Sequence, residues 1–493
     1  MRPLILPERE DSRIELSRTH EQGIALLIAL VVLSVFSLLG LYMALDSATS
    51  LRISDNHESQ ICAGYAALAG LNHARTALRG LEFDAALNGP DGAHDGSPAY
   101  LTQARAFAFR NPLSWSVARS LDIFDPVGAL GGMPDDGLVN TGYSGTSPGT
   151  VLIPLAGIAQ TVPNPYGSGS VTISRYFAKV SDNNGEPEEL GGDPADDPFH
   201  DGDGVVIVRS LGIARTLTDT AGLTARKNSI VVYEARLKHR STFMLEAPLV
   251  IEANEVNAIF NGSAFSITGG GQPGIGVIDT DEGDSYHPAE ELRSAAQGRG
   301  RITGGGLPEP SVADLTRTTT SNPDRARLRD PNYLSNFVHN VVPGFADHVY
   351  NGDQIWTGES APNIGSFDHS QPANSPGQSP KVTLVDGNLA LAGNVTGAGL
   401  LVVTGDLTCT GGFSFDGLVL VVGTGNVNAD GMNPGIYGGI FTARLNGDRF
   451  GTPTISVSGN SNIVADSNAL SMAVRLIPPA QISFREVTGV LDP

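Results

Sequence analysis

Ile24 to Leu45 is a run of 22 residues without a charge, and it limits what the rest of the chain can do. A helix of that length rises about 33 Å, enough to cross the hydrocarbon core of a bilayer. A secretory signal has a shorter apolar core and ends in small residues of the Ala-x-Ala kind. Here the run ends at Asp46-Ser47-Ala48-Thr49, a poor cleavage site. The run reads as one membrane helix. Ahead of it, Arg2, Arg9, Arg13 and Arg18 are matched by Glu8, Glu10, Asp11 and Glu15. Arg18 and, more weakly, His20 are the only basic residues close to the helix, and close basic residues mark the cytoplasmic side. Nearly all the foldable sequence follows the run. The expected topology is a cytoplasmic N-terminus, a single pass through the membrane and a C-terminal part outside the cytoplasm.

That C-terminal part is rich in turns. The chain has 60 Gly and 31 Pro, few aromatics and 17% charged residues, a balance that favours strands and turns over helices. The net charge of −21 argues against nucleic acid and anionic membrane surfaces as partners. Cys62 and Cys409 stand far apart and make neither a disulfide framework nor a zinc site.

Past Asp46 the helical pattern continues. Ile61, Tyr65, Leu68, Leu71, Arg75 and Leu78 recur at three- and four-residue steps, which predicts an amphipathic helix with these residues on one stripe. No proline interrupts residues 24–80, and Gly80 suits a stop. One helix over this span would be about 85 Å long; two helices broken near Asp46–Ser50 is the other reading.

A polar leader ending in Gly23, then an apolar residue and a long half-greasy helix, resembles the type IV prepilins. The stretches "QGIALLIALVVLSVFSLLGLYMAL" and "ICAGYAALAGLNHARTALRG" are similar to PilX-type minor pilins and to the minor pseudopilin K of type II secretion. The resemblance covers residues 18–80 well and the rest loosely. It implies that a prepilin peptidase cuts between Gly23 and Ile24 and methylates the new N-terminus. It also implies a helix packed on an antiparallel sheet, with other minor and major pilins as partners. Two positions depart from the common pattern. Gln22 stands where most prepilins have a basic residue, and Ile28 occupies the fifth mature position, where most have Glu. In the family that glutamate pairs with a neighbour's terminal amine, and an unpaired ammonium is costly in a low-dielectric bundle. A subunit without the acid fits best at a fibre tip, and PilX-type and K-type subunits are similar in lacking it.

Residues 81–165 are punctuated by Gly and Pro; "AYLTQARAFAF" at 99–109 reads as a strand or short helix. Residues 170–182, 204–215 and 228–238 alternate, are β-branched and read as an antiparallel meander. The loop "SDNNGEPEELGGDPADDPFHDGDG" between the first two carries nine acids and no Lys or Arg. It is either a solvated acidic loop or a calcium site. In the second reading Asp182, Asp193, Asp197, Asp201 and Asp203 supply hard oxygen ligands. The spacing is not that of an EF-hand; similar loops in pilin-like subunits hold calcium. No other cofactor is expected.

The C-terminal half repeats. "VDGNLALAGN" from Val385 and "VTGDLTCTGG" from Val403 match 18 residues apart, and Gly405, Leu407, Cys409 and Gly411 map onto Gly425, Val427, Ala429 and Gly431. Strands and glycine turns at that period predict stacked coils, a β-solenoid. Leu389, Leu391, Leu407, Val427 and Cys409 should point inward, with Cys409 in the place of Leu391. "GSAFSITG" at 262–269 echoes "GGFSFDG" at 411–417, so the coils open near 249. The expected fold class is α+β and all-β: a long helix on an antiparallel sheet, then a β-solenoid. The expected divisions are a leader at 1–23, the helix at 24–80 and a pilin-like region at 81–240 containing the acidic loop at 182–203. The solenoid follows at 241–280 and 380–460, around an insertion at 281–379, with a C-terminal cap at 461–493.

Reactive constellations are sparse. "GTSPG" at 145–149 matches G-x-S-x-G with Ser147, but Pro148 follows where a nucleophile elbow needs a helix. His339 and His348 have no evident third ligand. Polysaccharide-active solenoids need acids, Arg or His stacked on neighbouring coils, whereas the visible coils carry Thr, Ala, Asn and Ser. Three classes follow, in order. The first is a non-enzymatic minor pilin-like assembly subunit, the second a membrane-anchored adhesin, and the third a polysaccharide-active enzyme on a stalk.

Overall fold

In the computed structural model of the chain, residues 12–83, 160–163, 171–183, 201–217, 229–281, 283, 285–358, 360–368 and 378–487 are described. The segment 99–109 and Ser147 lie outside them. Helix α1 runs unbroken from Ser12 to Ala77, passing through Asp46–Ser50 without a break. Leu78 closes the last turn onto Ala74, and Gly80 follows at φ +80°, a left-handed stop that glycine adopts without steric cost.

Four strands follow: β1 (Gln160–Pro163), β2 (Val171–Asp182), β3 (Val205–Leu217) and β4 (Ser229–Lys238). They form an antiparallel meander in chain order, with the C-terminal segment Ala480–Glu486 as a fifth strand beside β4. The three strands expected from alternation fall within two residues of their predicted bounds. The second half of α1 packs on this sheet with only part of the predicted stripe, Leu71 and Leu78. Ile61, Tyr65 and Leu68 are 44%, 70% and 41% exposed, while Ala63, Ala66, Ala67, Gly70, Leu71, Ala74, Ala77 and Leu78 are buried. The cause is how closely the two backbones approach. A Cβ at Gly212 of β3 would stand 2.0 Å from the carbonyl oxygen of Ala63, so only a face of small residues fits there.

The chain then enters a set of parallel strands. The first run is β5 (Leu249–Ala253), β6 (Asn257–Phe260), β7 (Ser266–Thr268) and β8 (Ile275–Asp279), then helix α2 (Pro288–Ala296), β9 (Arg301–Thr303) and β10 (Val312–Asp314). Helices α3 (Thr316–Ser321) and α4 (Pro331–Asn336) cross the outer surface. The second run starts at β11 (His348–Asn351) and β12 (Gln354–Thr357), with the short β13 (Gly365–Ser366). It continues through β14 (Ser379–Asp386), β15 (Leu389–Ala392), β16 (Val395–Val403), β17 (Leu407–Thr410), β18 (Phe413–Gly423) and β19 (Val427–Asp430). It closes with β20 (Gly435–Asn446), β21 (Arg449–Phe450), β22 (Thr454–Ser458) and β23 (Asn462–Val464). Helix α5 (Ser467–Arg475) and β24 (Ala480–Glu486) end the fold.

One parallel sheet has the order β10-β8-β5-β20-β18-β16-β14-β11 and a second β12-β15-β17-β19-β22-β6. The registers match the sequence repeat: Val385 pairs with Val403, Val403 with Val421, and Leu407 with Val427. Leu391 pairs with Cys409 and Cys409 with Ala429, and all the expected inward residues are buried. Gly399, Gly417 and Gly438 stack at φ +116°, +140° and +127°. A Cβ on Gly417 would lie 2.1 Å from the oxygen of Gly399, so this column bends the long strands where no side chain fits.

Two segments differ from expectation. Residues 281–379 are no mere insertion, because β9 to β12 extend the parallel sheets at both ends and Leu292 of α2 sits in the interior core. The closing segment does not cap an open end. Helix α5 lies across β16, β18 and β20, burying Ala469, Leu470, Met472, Ala473 and Val474 in the outer core with Leu418, Leu420 and Val422. An amphipathic helix needs an apolar surface, and here the outer sheet face supplies it. β24 then pairs with β4 from Lys238–Ala480 onward. Residues 239–479 are therefore inserted between two adjacent strands of the antiparallel sheet.

Candidate functional site

Gly23 and Ile24 lie inside the continuous helix α1. Ile24 and Ile28 are exposed, as is every large apolar side chain from Ile24 to Leu45, at 46% to 69%. The two serines of this run are turned back onto the helix. Ser34 Oγ donates to Val31 O and Ser37 Oγ to Leu33 O, both at 2.8 Å. Hydroxyls satisfied by their own helix leave an apolar exterior broken by the phenol of Tyr42. The chain thus carries one N-terminal helix apolar and long enough to cross a membrane, on a scaffold of mixed α and β structure.

The acidic loop is described only at its ends. Asp193 and Asp197 lie outside the described residues, as does the side chain of Asp182 at the end of β2. Asp201 and Asp203 stand together where β3 begins. Asp201 Oδ1 accepts from the amides of Gly204 (2.9 Å) and Val205 (3.1 Å). Asp203 Oδ1 accepts from Val205 N at 2.8 Å, and its Oδ2 accepts from Asn183 Nδ2 at 3.1 Å. Both acids thus shape the turn. Asn183 Oδ1 is buried beside them without a hydrogen-bond partner, a hard oxygen of the type calcium takes. Among the described residues no group of three or more His, Cys, Asp or Glu is placed to hold a metal.

His339 and His348 are engaged separately. The ring Nδ1 of His339 lies 2.9 Å from Ser335 O, and His348 Nε2 is 3.4 Å from Lys381 Nζ. Cys409 is fully buried, and burial pushes its thiol up to about 12, far from the thiolate a nucleophile needs.

The two parallel sheets present different exteriors. The outer face of the longer one is covered by α3, α4 and α5. The outer face of the six-stranded sheet is bare and polar, with Thr408, Asn428 and Ser456 in one row and Thr410, Asp430 and Ser458 in the next. Ile355 and Ile259 end the first row, 73% and 41% exposed. The sequence carries a sign of this asymmetry that the repeat alone does not bring out: "LTCT" and "TISVS" alternate, whereas "GLLVV" and "GLVLVV" are unbroken apolar runs of the kind buried on both faces.

No family profile matches the sequence, and no curated protein matches it. Among solved structures, the competence-associated pilin ComZ from Thermus thermophilus is similar at 11% identity, over 79% of this chain and 95% of that one, with a TM-score of 0.16. An overlap of that size establishes no shared fold.

Proposed function

We propose that the chain is a membrane-anchored, PilX-like minor pilin of a type IV pilus or related filament, and that residues 249–464 form a β-solenoid head carried at the fibre tip. One observation carries this reading. Helix α1 is bare and apolar from Ile24 to Leu45, then lays a face of Ala and Gly on an antiparallel sheet. Such a helix can sit in a bilayer or in the core of a fibre while its second half holds a globular body. The solenoid reading is supported by parallel pairing at the 18-residue repeat and by the stacked inward column Trp356, Leu391, Cys409, Ala429, Val457 and Phe260. The tip position is supported by Ile28, which offers no carboxylate to a neighbour's amine, and by the width of the head. The partners on this reading are other minor and major pilins, the prepilin peptidase and the inner membrane.

Mass spectrometry of the mature N-terminus in membrane and sheared-surface fractions tests it. The expected product begins at methylated Ile24, and Gly23→Val blocks the cut. Surface material that begins at Met1 overturns the pilin reading. It would favour a tethered adhesin, for which the bare polar face of the six-stranded sheet is the supporting observation. A calcium ion at the acidic loop is a separate proposal, supported by the unpartnered Asn183 Oδ1. The full chain should then melt higher in millimolar calcium than in chelator, and Asp201→Ala with Asp203→Ala should remove the difference. Equal melting temperatures in both leave the loop as a solvated turn.

A further inference from the structure

Residues 239–479 leave the antiparallel sheet at Lys238 and return to it at Ala480, and these two residues are paired partners on β4 and β24. The insert is therefore covalently attached at a single place. The buried apolar residues on the two sides of the joint belong to separate clusters. Leu78 and Phe83 lie with the antiparallel sheet, and Leu476 and Ile477 with the outer core of the insert. The contacts across the joint are mainly polar. Two of them lie beside the attachment. Phe83 stacks on the ring of His239 with centroids 3.8 Å apart, and Arg75 Nε donates to Pro479 O at 2.7 Å. The others are made by the segment that follows α1. Gly80 N donates to Arg475 O at 2.9 Å. Arg79 Nη2 is 2.9 Å from Asp347 Oδ2, just before β11, and its guanidinium stands 5.7 Å from the centre of the Phe345 ring. Arg475 Nη1, at the end of α5, is 2.6 Å from Glu82 Oε1.

The two ion pairs are three residues apart on this segment, have opposite polarity and grip different elements of the insert. Together they oppose turning in either sense. Asp347 Oδ2 also accepts from Val382 N of β14 at 2.7 Å, so the hold of Arg79 passes into the parallel sheet. A joint between two units that lacks a large apolar contact lets them move against each other. Partly exposed ion pairs are individually weak and are screened by salt. We infer that residues 79–82 form a releasable strap. With Arg79–Asp347 and Glu82–Arg475 closed, the insert keeps one orientation relative to α1; with both open, it turns as a unit about the Lys238–Ala480 attachment. A hinge of this kind uses no residue ahead of Arg75, so it works whether or not the chain enters a filament.

The test measures distances between paired nitroxide labels on the full chain in detergent, in a Cys62→Ser background. Cys409 is fully buried and stays unlabelled. One label pair, Asn72→Cys on α1 with Asn428→Cys on β19, spans the joint. A second, Asn428→Cys with Asp448→Cys, lies within the insert; all three positions are exposed. In low salt the parent should give one narrow distribution for the spanning pair. Arg79→Gln with Glu82→Gln should at least double its width, as should molar chloride with the parent, while the pair within the insert stays narrow. Glu82→Arg alone should also broaden the spanning distribution, and adding Arg475→Glu should restore most of the narrowing. A spanning distribution as narrow in the Arg79→Gln, Glu82→Gln variant as in the parent overturns the proposal. So does equal broadening of both label pairs, which would mean that the insert loosens internally instead of turning. If the double variant does not fold, the salt titration of the parent decides by the same two comparisons.

Discussion

Val250 and Phe441 are paired partners on adjacent parallel strands, although 191 positions separate them. Strands β5 and β20 meet here, and with them the two runs of parallel strands. The first run winds away from β5 to β10. The chain crosses the outside through α3 and α4, starts again at β11, and winds back until β20 meets β5. The pairs β22–β6 and β23–β7 close the same seam on the other sides.

Phe441 is fully buried at that seam and packs edge-on to Phe243, centroids 6.1 Å apart. Removing a ring of this size from a closed core costs about 3–5 kcal/mol. Phe441→Ala should lower stability by that amount in denaturant titration. Thr408→Ala, on the bare outer face, should change it by no more than about 0.5 kcal/mol. A seam that opens independently would appear as loss of a single transition in the Phe441→Ala variant.

What could be read from the sequence was local. The repeat gave the partners of Leu389, Leu391, Leu407 and Cys409, because one residue type recurs where one environment recurs. The echo of 411–417 at 262–269 is also real in space: Phe415, Ile436, Ile463, Ile267 and Ile302 form one column. The direction of winding was not legible, since nothing in β5 says that its neighbour is 191 positions away. The buried face of α1 was legible in part, at Leu71 and Leu78. Hydrophobicity also pointed to Ile61, Tyr65 and Leu68, which stay exposed because the packing around Ala63 and Ala67 is set by side-chain size. The acidic loop yields only the placement of Asp201 and Asp203, and the cut proposed after Gly23 is a processing event, which no fold displays.

Gly212 shows how strict that size requirement is. An added Cβ would meet Ala63 O at 2.0 Å and Ala67 N at 2.5 Å, both backbone atoms that cannot rotate aside. Gly212→Ala should cost about 1–3 kcal/mol and raise hydrogen exchange across the amides of residues 63–78. Gly64→Ala meets only the Tyr233 hydroxyl, at 3.3 Å, and should be milder. Equal exchange in the two variants would show that α1 can lift off the sheet without loss.

The two thiols should separate cleanly. Cys62 is half-buried on α1, and burial with the nearby Glu58 raises its pKa. Cys409 is enclosed between Leu391 and Ala429. With maleimide at pH 7 the folded chain should label slowly at Cys62 alone, and Cys409 should react only after unfolding. Fast native labelling of Cys409 would mean that the interior column opens.

Glu252 should make the protein's stability depend on pH. It lies on β5 between Ile278 and Ala443, fully buried, and neither carboxylate oxygen has a hydrogen-bond partner. Burial raises its pKa well above 4.5; Arg329 opposes the shift and Asp279 adds to it. The folded state therefore keeps this proton to higher pH than the unfolded chain does. The associated stability is fully present below pH 4.5 and is lost as pH rises toward the folded-state value, at no more than about 1.4 kcal/mol per pH unit. Glu252→Gln cannot ionise and removes that loss. Its stability advantage over the parent should grow from pH 5 to pH 8 in urea titrations, with other titrating groups cancelling in the difference. An advantage that shrinks as pH rises would mean that the carboxylate is ionised in the folded state and held by Arg329. The variant would then be the less stable protein at pH 8.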